Sequence, residues 1–227
     1  MWIKICANTS LEDAQLAAAL GADAVGFVFA PSKRRVTAEQ VARITPHLPA
    51  AVERIGVFDS LDAEEIAATV RAAGLDGIQL HGAVDHALVR RLRNLLGGEV
   101  GIIQTMHWQV DADGASAEAV GRQLDEIARE GTVGRVLIDS KVGSATGGTG
   151  VSFDWEKARA TLAAHAGGLR FIVAGGLRPE NVAEAIARLE PWGVDVASGV
   201  EGVPGRKAPE RLAAFIRNAR QAGSGRD

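Results

Sequence analysis

The chain has 227 residues, with 25 basic and 28 acidic side chains spread along it and a single cysteine, Cys6. This length can bury a sizeable core in one domain, and the dispersed charge excludes the basic face of a nucleic-acid-binding protein. One cysteine excludes an internal disulfide framework, and no His/Cys cluster of zinc-finger spacing occurs.

Eight β-rich apolar runs alternate with eight segments of helical periodicity, a pattern typical of βα units around a parallel sheet. The runs are too continuously apolar to be half-exposed, so both faces of the sheet are expected to be covered. In chain order the predicted strands and helices are Trp2–Cys6 with Leu11–Leu20, Ala24–Phe29 with Ala38–Thr45, Arg54–Phe58 with Asp62–Ala73, Gly77–Leu80 with Asp85–Leu96, Gly101–His107 with Ala115–Arg129, Arg135–Asp139 with Trp155–Ala166, Arg170–Ala174 with Pro179–Leu189, and Val194–Ala197 with Pro209–Arg220.

Helix starts and chain ends carry further signals. Ser10 and Thr37 stand where a capping oxygen is favoured, with acidic residues in the turn that follows each. The first residues enter a strand-like run with no basic-then-apolar leader, and no apolar stretch of about 18 residues occurs. We therefore expect a cytoplasmic protein with one domain over residues 1–221 and a flexible tail over 222–227.

Eight strands, each followed by a helix, close most simply into an α/β (β/α)8 barrel, also called a TIM barrel. The alternative is an open doubly wound sheet, which would usually show Gly-x-Gly-x-x-Gly after its first strand. Ile5-Cys6-Ala7-Asn8-Thr9 stands at that place instead, which favours the barrel.

In such a barrel the working face lies at the carboxyl ends of the strands. Cys6 follows the first strand and Asp139 ends the sixth, and a thiol with a carboxylate suits general acid–base work such as an isomerisation. The non-catalytic alternatives are that Cys6 is a buried apolar side chain and that Asp139 caps a helix or forms a surface salt bridge. The other polar candidates after strands are Ser32-Lys33-Arg34-Arg35, Asp59, Gln79 with His81, Gln104, Gly175-Gly176 and Ser198-Gly199.

The glycines after strands seven and eight predict a phosphate site, because bare backbone amides at such turns can face an anion. The residues concerned are Gly175, Gly176, Ser198 and Gly199, although glycines also simply make tight turns. Arg34 could clamp a carboxylate or be merely solvated, and His81 could line the site or be structural. The glycine-rich stretch Gly143–Gly150 could be a lid or an ordinary loop.

Strings along nearly the whole chain, in order, resemble phosphoribosylanthranilate isomerases. They are Lys4-Ile5-Cys6-Ala7-Asn8-Thr9 with Glu12-Asp13-Ala14, Gly21 to Phe29, Ser32-Lys33-Arg34, Gly56-Val57-Phe58, Gln79-Leu80-His81-Gly82, Leu137-Ile138-Asp139, Gly147-Gly148-Thr149-Gly150, Phe153-Asp154-Trp155, Ala174-Gly175-Gly176-Leu177, Pro179-Glu180-Asn181-Val182, and Val194-Asp195-Val196 with Ser198-Gly199-Val200-Glu201.

The resemblance implies a (β/α)8 barrel that performs the Amadori rearrangement of N-(5-phosphoribosyl)anthranilate in tryptophan biosynthesis, without metal or cofactor. It also implies that Cys6 is the general base, that Asp139 is the general acid and that Arg34 holds the anthranilate carboxylate. The resemblance further implies that the two glycine turns bind the substrate phosphate. The partner is then a small phosphorylated substrate, with neither nucleic acid nor membrane involved. No unpaired apolar stripe points to a subunit interface.

Several positions depart from the family's usual pattern: Ala7 and Ala197 stand where glycine and serine are usual, Val151 where lysine is, and Gln104-Thr105 where Lys-Ala is. Ala7 restricts the backbone, since only glycine enters left-handed conformations freely, and Ala197 removes one possible phosphate donor. Two alternatives follow, namely a catalytically drifted barrel that only binds a phosphometabolite and another phosphosugar isomerase or epimerase. An epimerase would need metal-binding histidines at several strand ends, where only His81 and His107 stand.

Overall fold

Eight parallel strands form a closed barrel in which each strand pairs with its neighbours in chain order and the eighth pairs back with the first. The computed structural model describes residues 1–109, 115–141, 155–165 and 167–224. The barrel strands are β1 Trp2–Ile5, β2 Ala24–Val28, β3 Glu53–Phe58, β4 Gly77–Leu80, β5 Gly101–Gln109, β6 Arg135–Lys141, β7 Arg170–Ala174 and β8 Gly193–Val196.

Helices alternate with these strands, and the predicted (β/α)8 barrel is confirmed. Within the described ranges they are α1 Leu11–Ala19, α2 Ala38–Ala42, α3 Ala63–Ala73, α4 His86–Leu96, α5 Ala115–Glu130, α6 Trp155–His165, α7 Val182–Leu189 and α8 Pro209–Gly223. Helix α3 shows why they pack as they do: its buried residues Ala63, Ile66, Ala67, Val70 and Ala73 recur at three- and four-residue spacing along one face.

The apolar core has two parts. A large cluster joins strand and helix residues around the outside of the barrel. A small one consists of Trp2, Ala24, Ile55, Ile103, Leu137, Ile172 and Ala174, with Trp192 packed against it. Fully burying an aliphatic side chain of this kind contributes about 1.5–3 kcal/mol, so both clusters stabilise the barrel on which the polar residues are carried.

The interior is not wholly apolar. Lys4 on β1 is fully buried, and its Nζ lies 2.8 Å from Gln79 Oε1 on β4 and 2.9 Å from Asp195 Oδ1 on β8. Gln79 Nε2 in turn donates to Thr105 Oγ1 on β5 at 3.1 Å. These contacts run across the barrel, so the four side chains point inward.

Successive side chains of a strand point to opposite faces of the sheet. The residue two positions after each inward-facing side chain therefore also faces the barrel interior. Cys6 follows Lys4, His81 follows Gln79, and His107 follows Thr105. On β6, Leu137 belongs to the small cluster and Asp139 comes next. These positions form a ring at the carboxyl end of the barrel.

Helix starts agree with their capping signals in two cases and differ from prediction in others. The Ser10 hydroxyl accepts from the Asp13 amide, and Thr37 forms a capping box with Gln40. Helix α2 ends early, and a 3-10 turn at Thr45–His47 replaces its predicted end, because the residue before Pro46 is disfavoured in a helix.

Helix α7 begins three residues later than predicted, at Val182, because Asn181 closes a turn ahead of it. The Arg178 amide donates to Asn181 Oδ1 at 2.8 Å, and the Asn181 amide donates to the Arg178 carbonyl. Pro179 therefore lies in this turn and not in the first turn of the helix.

Two features at the carboxyl end of the chain were not predicted. A hairpin of β9 Glu201–Val203 and β10 Arg206–Lys207 follows β8. Helix α8 continues to Gly223, three residues beyond its predicted end at Arg220, and residues 225–227 lie outside the described part of the chain. None of the helices in the described ranges is long and apolar enough to span a membrane.

Candidate active site

Cys6 lies directly after β1 and is only 6% exposed. Its amide donates to the Val196 carbonyl at 2.8 Å, and its carbonyl accepts from Lys207 Nζ at 2.5 Å. Both backbone groups are thus held by the end of β8 and the hairpin that follows it. The thiol has little freedom of position, as a base that must meet one carbon atom requires.

The turn after Cys6 is strained at Ala7, whose φ of 61° lies in the left-handed region. A non-glycine residue pays about 1–2 kcal/mol there. Asn8 holds the turn in place, since its Nδ2 donates to the Ile5 carbonyl at 2.8 Å and to the Gly26 carbonyl at 3.2 Å. Ala7 therefore does occupy a left-handed backbone conformation, which only glycine adopts without penalty, as the sequence predicted.

The Lys4 ammonium interacts with the Cys6 thiol as well as with Asp195. Burial raises the pKa of the Cys6 thiol above its ordinary value, and the charge of Lys4 opposes that rise without cancelling it. The pKa of Lys4 is itself raised, because Asp195 and Cys6 together outweigh its burial. Reactive cysteines generally have a lowered pKa, and burial of Cys6 produces the opposite direction.

Gly26 on β2 makes room for this pair. A Cβ at this position would lie 2.7 Å from Cys6 Sγ and 3.0 Å from Lys4 Cε. Real Cβ atoms do not approach heavy atoms as closely as the first of these distances. The glycine therefore leaves space over the strand for both the Cys6 thiol and the end of the Lys4 side chain.

Asp139 lies on β6, where its register partners are His107 on β5 and Ala174 on β7. It is partly buried, and β6 runs two residues beyond it instead of ending there as predicted. His81 follows β4, with its amide donating to the Phe58 carbonyl at 2.8 Å. The rings of His81 and His107 meet edge to face with centroids 4.9 Å apart.

Arg34 lies in the turn after β2 and forms a two-pronged ion pair with Glu201 at the start of the hairpin. Its Nε lies 2.8 Å from Oε1, and its terminal nitrogen Nη2 lies 2.6 Å from Oε2. Burial acts to raise the pKa of Glu201, but hydrogen bonding to Arg34 and the charge of Lys207 outweigh it and hold the pKa below its usual value. Glu201 therefore holds the Arg34 guanidinium in place, a contact that the sequence-based prediction for Arg34 did not include.

The two predicted phosphate turns lie side by side. Gly175 and Gly176 have φ of 90° and 63°, so both need the conformational freedom of glycine. Ser198 and Gly199 begin a 3-10 turn after β8. A Cβ on Gly199 would lie 1.8 Å from the Leu177 carbonyl oxygen, which shows how closely the two turns are packed. The glycine-rich stretch Gly143–Gly150, interpreted above as either a lid or an ordinary loop, lies outside the described residues.

Sequence reasoning did not single out the buried ion pairs behind the site. Lys207, with a fully buried side chain, lies 3.6 Å from Glu201 and also donates to the Ala197 carbonyl at 3.3 Å. Lys4 and Asp195 had a usable signal, because each is a lone charge inside an otherwise apolar strand and must find a partner within the barrel. Lys207 had none, since its strand is only two residues long.

Comparisons with known proteins agree with this geometry. A family model described as N-(5'phosphoribosyl)anthranilate (PRA) isomerase matches residues 3–218. The chain is 41% identical over 219 residues to the N-(5'-phosphoribosyl)anthranilate isomerase of Rubrobacter xylanophilus, covering 96% of this chain and 98% of that one.

Solved structures agree as well. Phosphoribosyl anthranilate isomerase from Thermotoga maritima matches with a TM-score of 0.81 and 34% identity over 97% of this chain and 99% of that one. A second such isomerase, in complex with reduced 1-(o-carboxyphenylamino)-1-deoxyribulose 5-phosphate, matches with a TM-score of 0.79 and 32% identity over the same shares. From its sequence, its barrel and these relatives, the chain belongs to the N-(5'-phosphoribosyl)anthranilate isomerase family.

Proposed function

We propose that Cys6 is the general base and Asp139 the general acid with which this isomerase carries out the Amadori rearrangement. The substrate is N-(5-phosphoribosyl)anthranilate, and the product is 1-(2-carboxyphenylamino)-1-deoxyribulose 5-phosphate. One observation carries the proposal: both side chains occupy inward positions at the carboxyl end of one barrel, on strands separated by β7 and β8. A substrate in the barrel mouth can thus meet an acid on one side and a base on the other.

The steps balance in protons. Asp139 donates its proton to the ribose ring oxygen as the bond from that oxygen to C1 breaks, which leaves a protonated imine. The Cys6 thiolate then removes the C2 proton, and the electron pair of that bond forms the enolamine. Tautomerisation of the enolamine gives the ketone. At the end Cys6 carries one proton more and Asp139 one fewer, and exchange with solvent restores both.

Lys4 makes a buried thiolate possible. A thiol in an apolar environment resists ionisation, and the positive charge of the nearby Lys4 stabilises the charged form. A thiolate formed at a raised pKa is also the stronger base toward a carbon-bound proton. Lys4 is therefore a positioning residue, which acts on the reaction through Cys6.

The two anionic ends of the substrate require separate sites. The phosphate is proposed to bind at Gly175, Gly176, Ser198 and Gly199, and the anthranilate carboxylate at Arg34. The family member in complex with a reduced phosphorylated product supports this division, since its ligand also carries a phosphate and a carboxyphenyl group. Glu201 holds Arg34 through two of its nitrogens, which fixes the direction in which the remaining guanidinium edge faces. We propose that His81 lines the site between these ends.

The acid–base proposal is tested with Cys6→Ala and Asp139→Asn in the fluorescence assay of anthranilate substrate turnover. Each substitution should lower kcat about 10²- to 10⁴-fold, the usual contribution of a general acid or base. Near-normal turnover in both variants would refute the proposal. Rescue of a tryptophan auxotroph lacking this isomerase, by the wild-type gene and not by the variants, gives the same answer in cells.

The carboxylate assignment is tested with Arg34→Ala against the exposed neighbour Arg35→Ala. A charge-assisted paired contact contributes roughly 1.5–3 kcal/mol, or about ten- to more than a hundredfold in affinity. Arg34→Ala should raise KM at least tenfold and leave binding of inorganic phosphate nearly unchanged. If Arg35→Ala raised KM and Arg34→Ala did not, the carboxylate contact would belong to Arg35.

We also propose that the protein acts in the cytoplasm. A base that must remain a free thiol is preserved where glutathione and thioredoxin keep cysteines reduced. Fractionation of the producing cells should place the isomerase activity in the cytoplasmic fraction, and activity confined to another compartment would contradict this.

A further inference from the structure

Two histidines and the proposed acid meet at one edge of the barrel mouth. His81 follows β4, His107 lies on β5 and Asp139 on β6, so three adjacent strands each supply one side chain. One potential ligand atom from each lies within 4.8 Å of the other two, and all three residues are partly buried. Two imidazoles with one carboxylate are a ligand set that proteins use for divalent transition metals.

The contact between His107 and the backbone orients one ring for this role. His107 Nε2 lies 3.2 Å from the His81 carbonyl oxygen. A carbonyl can only accept, so this hydrogen bond requires the proton on Nε2 and leaves the lone pair on Nδ1. Within the described residues, His107 Nδ1 is buried with no hydrogen-bond partner. Metal-binding histidines commonly donate their second nitrogen to a carbonyl in this way.

We propose that His81, His107 and Asp139 form a binding site for Zn²⁺ and similar divalent transition-metal ions, which would occupy the barrel mouth beside the reacting groups. Three protein ligands with a fourth position open to solvent match the usual composition of a zinc site that is not purely structural. Ligand atoms about 2.0–2.1 Å from a tetrahedral ion lie about 3.4 Å apart. The three side chains therefore need to draw together by at most about 1.4 Å.

The site departs from the expectation that the protein involves no metal, which the family resemblance implied, while the small number of histidines at strand ends was the argument against an epimerase. Two histidines are enough when a carboxylate on the next strand completes the set. The consequence for activity rests on the proposed function: a carboxylate that ligates a metal ion cannot donate a proton, so metal binding should inhibit the isomerase. Transition metals of this class are therefore expected to be inhibitors and not cofactors.

The test begins with binding in the absence of substrate. Calorimetry with Zn²⁺ alone should give one ion per chain for the wild type and for His47→Gln, whose histidine is exposed on the 3-10 turn before β3. His107→Gln and Asp139→Asn should each weaken the affinity about tenfold or more. Circular dichroism melts establish that each variant is folded, and either folded variant suffices for the comparison.

Co²⁺ identifies the ligands by its absorption spectrum. The expected spectrum has visible bands of a cobalt site with nitrogen and oxygen ligands and lacks the near-ultraviolet thiolate-to-cobalt band. A thiolate band would assign the metal to Cys6, and unchanged Zn²⁺ affinity in His107→Gln and Asp139→Asn, or no binding by the wild type, would equally overturn the proposal. Binding without inhibition would leave the metal site standing and count against Asp139 as the acid.

Discussion

Replacing Lys4 with methionine tests the buried charge pair at the centre of the barrel. Methionine has a similar length and no charge, so the substitution leaves Asp195 buried without the ammonium that lies 2.9 Å away. Breaking a buried ion pair by removing one partner generally costs about 3–5 kcal/mol. In a chain of this length that lowers Tm by roughly 6–20 °C. The exposed Lys33→Met is the matched control and should change stability by less than about 0.5 kcal/mol.

A double-mutant cycle separates the pair from the effects of either side chain alone. Lys4→Met, Asp195→Asn and the combined variant are unfolded in urea, and their free energies of unfolding are compared. Because the second substitution removes the charge that the first leaves unpaired, the double variant should be more stable than the sum predicts by about 2 kcal/mol or more. Additivity within about 0.5 kcal/mol would refute the assignment of a stabilising Lys4–Asp195 pair.

Lys4→Met should also shift the pH dependence of kcat/KM in a definite direction. One limb of the profile should report ionisation of the Cys6 thiol, because the proposed base acts as the thiolate. Lys4 opposes the rise in the pKa of Cys6, so Lys4→Met should move this limb to higher pH. A limb that stays in place or moves to lower pH would contradict the role given to Lys4.

Three further substitutions test other features of the structure. Ala7→Gly removes a left-handed alanine and should leave the free energy of unfolding unchanged or raise it by up to about 1 kcal/mol. Ala14→Gly inside α1 is the control and should lower the free energy of unfolding by about 1 kcal/mol or more. Equal losses of stability in urea unfolding of the two variants would contradict backbone strain at Ala7. Gly199→Ala places a Cβ 1.8 Å from a backbone carbonyl oxygen and should weaken inorganic phosphate binding about tenfold, while Gly202→Ala, whose nearest neighbour is 3.7 Å away, should bind phosphate normally. The pKa of Glu201 is held below its ordinary value of 4.5, so its contribution to stability is complete above that pH and is lost as pH falls through the lower folded-state pKa. Glu201→Gln should therefore flatten the loss of stability below pH 4.5, and an unchanged profile would show that the ion pair does not contribute to stability.

Local sequence determined the framework of the protein. Strand-length apolar runs alternating with helical segments require a parallel sheet covered by helices, and eight such units close into a barrel. Once the barrel is accepted, Cys6 and Asp139 follow as candidates, because polar residues that end buried strands meet at one face. The two glycine turns follow by the same reasoning.

Only the tertiary structure decided which groups meet and in what electrostatic environment. Lys4 pairs with Asp195 across 191 positions of sequence, and Lys207 reaches the Cys6 carbonyl across 201. Periodicity encodes which face of an element is buried but not which distant side chain it touches. The direction of the Cys6 pKa, the anchoring of Arg34 by Glu201 and the meeting of His81 with His107 all depend on such long-range contacts and on desolvation inside the closed barrel.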